Sequence, residues 1–230
     1  PLTPEDVEGV FAGLRPLLAG EDEATSKLSR EHAVSTSVKG LVVIAGGKYT
    51  TYRVMAKDAI DAAVQQMESM LDRRVPRCCT DEVPLLGAEG YEALWNQRHA
   101  LAERQGVGVG RIEHLLNRYG SLAVEVFDLM VQRPELAEPL AGNDDYLRAE
   151  VVYGVTHEGA RHLDDILARR TRLSIETFSR GTESAVEAAS LMAGPLGWSA
   201  EQRDLEVAHY LKRVEAELES QRPNRLLAVY

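Results

Sequence analysis

The segment Gly46-Gly47-Lys48-Tyr49-Thr50-Thr51 carries the densest chemistry in this chain. Two glycines let a backbone approach a ligand closely. A helix starting just beyond them would present free N–H groups and the positive end of its dipole. Lys48 adds a full charge to that partial one, so the junction suits an anion, or a ring that becomes anionic. Upstream, Arg15 in Gly13-Leu14-Arg15-Pro16-Leu17 and Arg30 in Ser29-Arg30-Glu31-His32 each offer a planar donor fork for carboxylate or phosphate. Arg30 also has a plainer partner in the adjacent Glu31.

Other patterns read more quietly. The string Gly106-Val107-Gly108-Val109-Gly110 has neither the preceding strand nor the third-glycine spacing of a dinucleotide loop, so a loop between helices is expected. His157-Glu158 and His162 stand at i and i+5 with Gly159 between them, which suits helix ends rather than zinc; no metal site is expected. In the run from Arg161 to Leu173, Asp165 precedes Arg169 at helical spacing, the pattern of a salt-bridged, solvated helix. The functional reading of that run has Arg169, Arg170 and Arg172 gripping a neighbouring domain or an acidic ligand. The plainer one is favoured.

The elements that must position these residues follow from punctuation and period. Val7–Leu14 suits a strand ended by a turn at Pro16, and Gly20 to Arg30 a polar loop. Gly40 to Ala45 is an apolar run between glycines, as in a strand buried on both faces. Thr50 and Thr51 offer hydroxyls that could cap a helix, and Met55, Ala59, Ala62, Ala63, Met67 and Met70 recur at helical spacing through Leu71. Arg73 to Leu86 reads as a linker. Helices are expected at Tyr91–Gln105, Gly110–Tyr119, Leu122–Arg133, Asp145–Glu158, His162–Arg169, Ser184–Ala193 and Ser199–Ser220. Ser199-Ala200-Glu201-Gln202 forms a capping box for the last of them. The fold class is therefore mainly α: a short α/β portion over residues 1–72, then an all-helical domain over 73–230, of ordinary domain size.

Composition narrows the partners. Lys and Arg number 26 against 36 Asp and Glu, a net charge of −10, whereas phosphate backbones need a basic face; no nucleic-acid partner is expected. No apolar run approaches membrane-spanning length, and no signal peptide opens the chain. The two cysteines, Cys78 and Cys79, are adjacent, a spacing that meets disulfide geometry only with strain. Together these features point to a soluble chain in a reducing, cytoplasmic compartment. Pro1 in place of methionine points to a start within a longer chain.

Three stretches near the start, Gly13–Leu17, Leu28–His32 and Gly46–Arg53 with Met55-Ala56, closely resemble the FAD-dependent glycerol-3-phosphate dehydrogenases. Leu115–Gly120, Glu150–His157 with Glu158, and Arg169–Arg172 resemble that family's C-terminal helical cap, in the same order. The resemblance implies the C-terminal portion of a flavoenzyme that oxidises sn-glycerol 3-phosphate to dihydroxyacetone phosphate, with electrons passing through FAD to a quinone. Residues 1–72 would then be a remnant of the FAD-binding oxidoreductase domain. Gly46, Gly47, Lys48, Tyr49, Thr50 and Thr51 would contact the flavin, and Arg15 and Arg30 would hold the substrate. The family's Gly-x-Gly-x-x-Gly segment is absent, so the FAD-binding half and the general base belong to a missing N-terminal part, and the fragment alone should be inactive. His32 is not assigned as the base. A peripheral position on the inner face of the cell membrane is also implied, and a homo-oligomer is left open.

Two alternatives stand beside this. In an amino-acid oxidase of the same superfamily, Arg15 and Arg30 would hold a carboxylate, although the helices after Leu86 argue against it. A non-catalytic helical interaction domain is the third reading.

Overall fold

The computed structural model describes residues 3, 6, 7, 13, 32–67 and 74–221. The anticipated strand at Val7–Leu14, the loop Gly20–Arg30, Arg15 and Arg30 lie outside these residues, save for Val7 and Gly13. There are two compact units: among the described residues, 13, 32–67 and 74–85 belong to the smaller, and 3, 6, 7 and 86–221 to the larger.

The smaller unit is a hairpin with one helix. Strands β1 (His32–Val38) and β2 (Leu41–Gly46) pair antiparallel, His32 opposite Gly46 and Val34 opposite Ile44. Gly40, at φ 81°, makes the reversal, a conformation open to glycine at little cost. Helix α1 (Tyr52–Met67) packs on this hairpin. The expectation of a strand buried on both faces is not met. Val42 and Ile44 are half-buried while Leu41 and Val43 are 50% and 47% exposed. An antiparallel ribbon carrying a helix on one face alternates in burial, whatever the apolarity of its sequence. Arg53 Nη2 donates to the Val83 carbonyl at 2.9 Å, tying α1 to the segment after it.

The larger unit is helical: α2 (Tyr91–Asn96), α3 (Arg98–Gln105), α4 (Val109–Tyr119), α5 (Ala123–Gln132), α6 (Arg148–Thr156), a π-helical segment Asp165–Arg170, α7 (Leu173–Glu176), α8 (Ala185–Leu196) and α9 (Ala200–Ser220). The single helix expected at Tyr91–Gln105 breaks at Gln97, and the helix expected from Asp145 begins at Arg148. There the Asn143 side chain accepts the Asp145 and Tyr146 N–H groups at 2.8 and 3.0 Å, and this local turn competes with helix.

Two apolar clusters form the core. Ile112, Leu115 and Leu116 of α4 meet Val126, Phe127 and Met130 of α5, with Leu147, Val152 and Tyr153. Leu163, Ile166, Leu167 and Leu173 meet Ala185, Ala188, Ala189 and Met192 of α8, with Tyr210 and Val214 of α9. Helix α6 serves both, and its residues Ala149 to Gly154 are all buried, as befits a helix enclosed by others. Each fully buried leucine or isoleucine contributes about 1.5–3 kcal/mol of transfer free energy.

Where an ordinary helix was expected at His162–Arg169, the chain winds as a π-helix. Thr171 explains this, because its N–H and hydroxyl both donate to the Ile166 carbonyl, at 2.8 and 2.7 Å, five residues back. Gly154 lets this segment approach α6: a β-carbon there would stand 2.6 Å from Ile166 Cδ1. Of the capping box read at Ser199–Gln202, the serine half forms, Ser199 Oγ accepting the Gln202 N–H at 3.1 Å.

His162 fastens the start of this region to α9, with Nδ1 2.8 Å from Glu206 Oε1. The hydrogen bond to Glu206, then its charge, raises the His162 pKa above the ordinary imidazole value. A raised folded-state pKa gives stability that is full below the unfolded value, about 6.5, and lost as pH rises through the folded one. His162→Gln should therefore lower the urea midpoint at pH 6, and the gap to the parent should narrow as pH rises. The gap stays small because the imidazole is 70% exposed. A gap that widens with pH would refute this sign.

Candidate functional site

The glycine–lysine segment forms a sharp junction between β2 and α1. Gly46 and Gly47 take φ 76° and 91°, conformations that side chains resist. Gly47 is also crowded from below: a β-carbon would stand 2.5 Å from Met55 Sδ and 3.2 Å from His32 Cβ. Lys48 is extended, and a 3-10 turn over Tyr49–Thr51 leads into α1. Thr51 does not cap the helix as expected. Its hydroxyl instead donates to the Lys48 carbonyl at 3.0 Å, as does its N–H at 3.0 Å, because the tight turn brings that oxygen back within reach.

The electrostatics of the junction run one way. Neither the turn nor the first turn of α1 contains an acidic residue. Lys48, Thr50 and Thr51 are exposed, and Tyr49 is 91% exposed with its ring stacked 6.0 Å from that of Tyr52. A helix start beside an exposed ammonium is an anion-receptive surface, and the exposed Tyr49 ring lies next to it. The structure thus brings together Gly46, Gly47, Lys48, Tyr49, Thr50 and Thr51. His32 stands just behind them, with Nε2 2.7 Å from Asp58 Oδ2.

In the larger unit, three stretches singled out in the sequence converge. Glu150 of α6 is fully buried, and its Oε1 accepts from His114 Nε2 at 3.0 Å and the Tyr119 hydroxyl at 3.1 Å, with Arg118 Nε 3.8 Å away. Its Oε2 accepts the Leu147 N–H at 2.8 Å, closing the start of α6. Burial, then the neighbouring Glu150 charge, pushes the Tyr119 hydroxyl pKa far up, so it remains a donor. Beyond this knot lies a polar cavity of about 460 Å³ lined by His114, Asn117, Arg118, Tyr146, Arg172 and Glu176, among others. Sequence reasoning passed over Glu150 as a hub. The one local sign was a glutamate three residues into a helix that starts after Leu147.

The remaining candidates have ordinary partners. Arg169 pairs with Asp165 at 2.9 Å, Arg170 donates to the Glu158 carbonyl at 2.7 Å, and Arg172 pairs with Glu176 at 3.0 Å. His157 stacks on Tyr153 with ring centroids 4.5 Å apart, while His162 serves Glu206. Gly106 and Gly108 end α3 and begin α4 as loop residues. Cys78 and Cys79 are free thiols. Among the described residues, no helix is long and apolar enough to cross a membrane.

Residues 78–203 match the family described as the C-terminal domain of alpha-glycerophosphate oxidase. The chain is 54% identical over 96% of its length to glycerol-3-phosphate dehydrogenase 2 of Mycobacterium bovis, covering 37% of that protein. It is 56% identical, with the same coverage, to glycerol-3-phosphate dehydrogenase of Mycobacterium leprae. A crystal structure of glycerol-3-phosphate dehydrogenase from Bacillus halodurans complexed with FAD superposes with a TM-score of 0.69 at 26% identity, over 93% of this chain and 41% of that one. The chain thus spans little more than a third of the length of these curated relatives.

Proposed function

Because this chain belongs to the family of C-terminal domains of alpha-glycerophosphate oxidase, we propose that it is the C-terminal part of a flavoenzyme oxidising sn-glycerol 3-phosphate to dihydroxyacetone phosphate. The observation that carries this reading is the paired positive-φ glycines opening onto a helix start that bears Lys48. On this reading residues 1–72 belong to the flavin- and substrate-binding domain, and residues 73–230 form the helical domain.

When bound, FAD would accept the hydride from C2 of the substrate. This chain's residues supply the surroundings. Gly46 and Gly47 would let the ring approach the backbone closely, and Tyr49, Thr50 and Thr51 would hold it. The N-terminus of α1 and the Lys48 ammonium would favour an anionic ring held beside them. Arg15 and Arg30 hold the substrate, their fixed charge and planar fork suiting phosphate. The proton on the C2 hydroxyl is taken by a group from outside this chain, and electrons leave to a quinone at the membrane, where the enzyme sits peripherally on the cytoplasmic side.

Paired variants of the full-length enzyme test the division of roles. Arg15→Lys keeps the charge and loses the fork. One charge-assisted hydrogen bond lost costs about 1.5–3 kcal/mol, roughly a 10- to 150-fold fall in kcat/KM at unchanged flavin content. Lys48→Met should lower the flavin reduction potential even without substrate. Full activity in Arg15→Lys, or simple loss of FAD in both variants, would show the assignment to be wrong.

A further inference from the structure

His32 stands where three elements meet. It is the register partner of Gly46, the last residue of β2. Its β-carbon lies 3.2 Å from the place a Gly47 side chain would begin. Its Nε2 is 2.7 Å from Asp58 Oδ2, on α1 and 26 residues along the chain. The pair is partly shielded, with the imidazole 20% exposed. Lys57 does not compete for Asp58, because its close partner is Asp61 at 2.8 Å while Asp58 is 4.0 Å away.

A glycine pair is the hardest dipeptide to hold in one conformation, since each glycine gives up more backbone freedom than any other residue. Downstream, Thr51 secures the Lys48 carbonyl. At the glycines the restraint comes from outside the dipeptide: Met55 against Gly47 from α1, and His32 against both. We propose that the His32–Asp58 pair is a clamp that positions Gly46–Thr51, and with it Lys48, against the flavin. His32 is thus a positioning residue, not a catalytic one. The proposal rests on the flavin reading above and adds to it the device that keeps the junction in register.

Hydrogen–deuterium exchange of the 230-residue chain tests the clamp without cofactor. His32→Ala and Asp58→Ala should each speed exchange of the Thr51 and Tyr52 amides, which donate to the Lys48 and Tyr49 carbonyls, about tenfold, the effect of losing one hydrogen bond that limits local opening. His32→Gln, which can still reach Asp58, should restore most of the protection, and peptides from α9 should not change. No change at Thr51 and Tyr52, or equal loosening of the whole hairpin and α1, would overturn the clamp.

A second arm uses the full-length flavoenzyme. The potential shift caused by Lys48→Met should shrink to less than half in a His32→Ala background and persist in His32→Gln, a coupling that general destabilisation would not produce. An equal shift with and without His32 would overturn the clamp and leave the flavin reading intact. An unaltered potential in Lys48→Met alone would overturn the flavin reading, and the clamp's purpose with it.

Discussion

Glu150→Ala should destabilise the helical unit by about 3–5 kcal/mol, the scale for removing one partner of a buried charged network. The carboxylate is the common acceptor for His114, Tyr119 and the Leu147 N–H, with Arg118 alongside. Truncation removes the acceptor of the buried Tyr119 hydroxyl and the buried Leu147 N–H, and the start of α6, which joins both apolar clusters, loses its closure. Glu150→Gln keeps the shape and one acceptor oxygen, so its cost should be nearer 1–3 kcal/mol, about that of one unsatisfied buried group. Urea unfolding followed by far-ultraviolet circular dichroism measures both. Equal midpoints for Glu150→Ala and the parent would mean that this hub holds nothing together.

Gly120→Ala should cost nearly as much, for a reason of backbone shape. Gly120 sits at φ 60°, ψ −137°, and a β-carbon on it would stand 2.1 Å from the Gly87 carbonyl oxygen. That carbonyl accepts the Ser121 N–H at 2.8 Å, so it cannot withdraw without breaking the contact that joins the segment before α2 to the end of α4. Backbone strain of about 1–3 kcal/mol and a forced shift of about the same size add to roughly 2–6 kcal/mol. Gly106→Ala is the control. Its φ is 67°, yet no atom lies within 4 Å of the added carbon, so only the left-handed cost of about 1–2 kcal/mol applies. Similar losses in the two variants would mean that the Gly87 contact gives way easily.

What was legible in the sequence was what depends on residues near one another in the chain. Helix spacing marked α4, α5, α8 and α9 to within a few residues, because a period of 3.6 is written locally. The Ser199 cap and the glycines around α3 and α4 were legible for the same reason, since each satisfies groups within one turn. The glycine pair before Lys48 marked the turn from strand to helix because only glycine takes those backbone angles cheaply.

Tertiary structure decided the rest. Strand β1 has only the weak alternation of His32–Val38 to mark it, and its partner across a short turn makes it a strand. Leu41 and Val43 read as core, yet stand half-exposed because a single helix covers one face of a two-stranded ribbon. The π-helical turn at Asp165–Arg170 depends on Thr171 and on the space left at Gly154, which no local period encodes. Glu150 reaches His114 and Tyr119 across 36 and 31 residues, and His32 reaches Asp58 across 26. Such pairs leave no periodic trace. They exist because folding removes polar groups from water and each must then find a partner, wherever in the chain that partner lies.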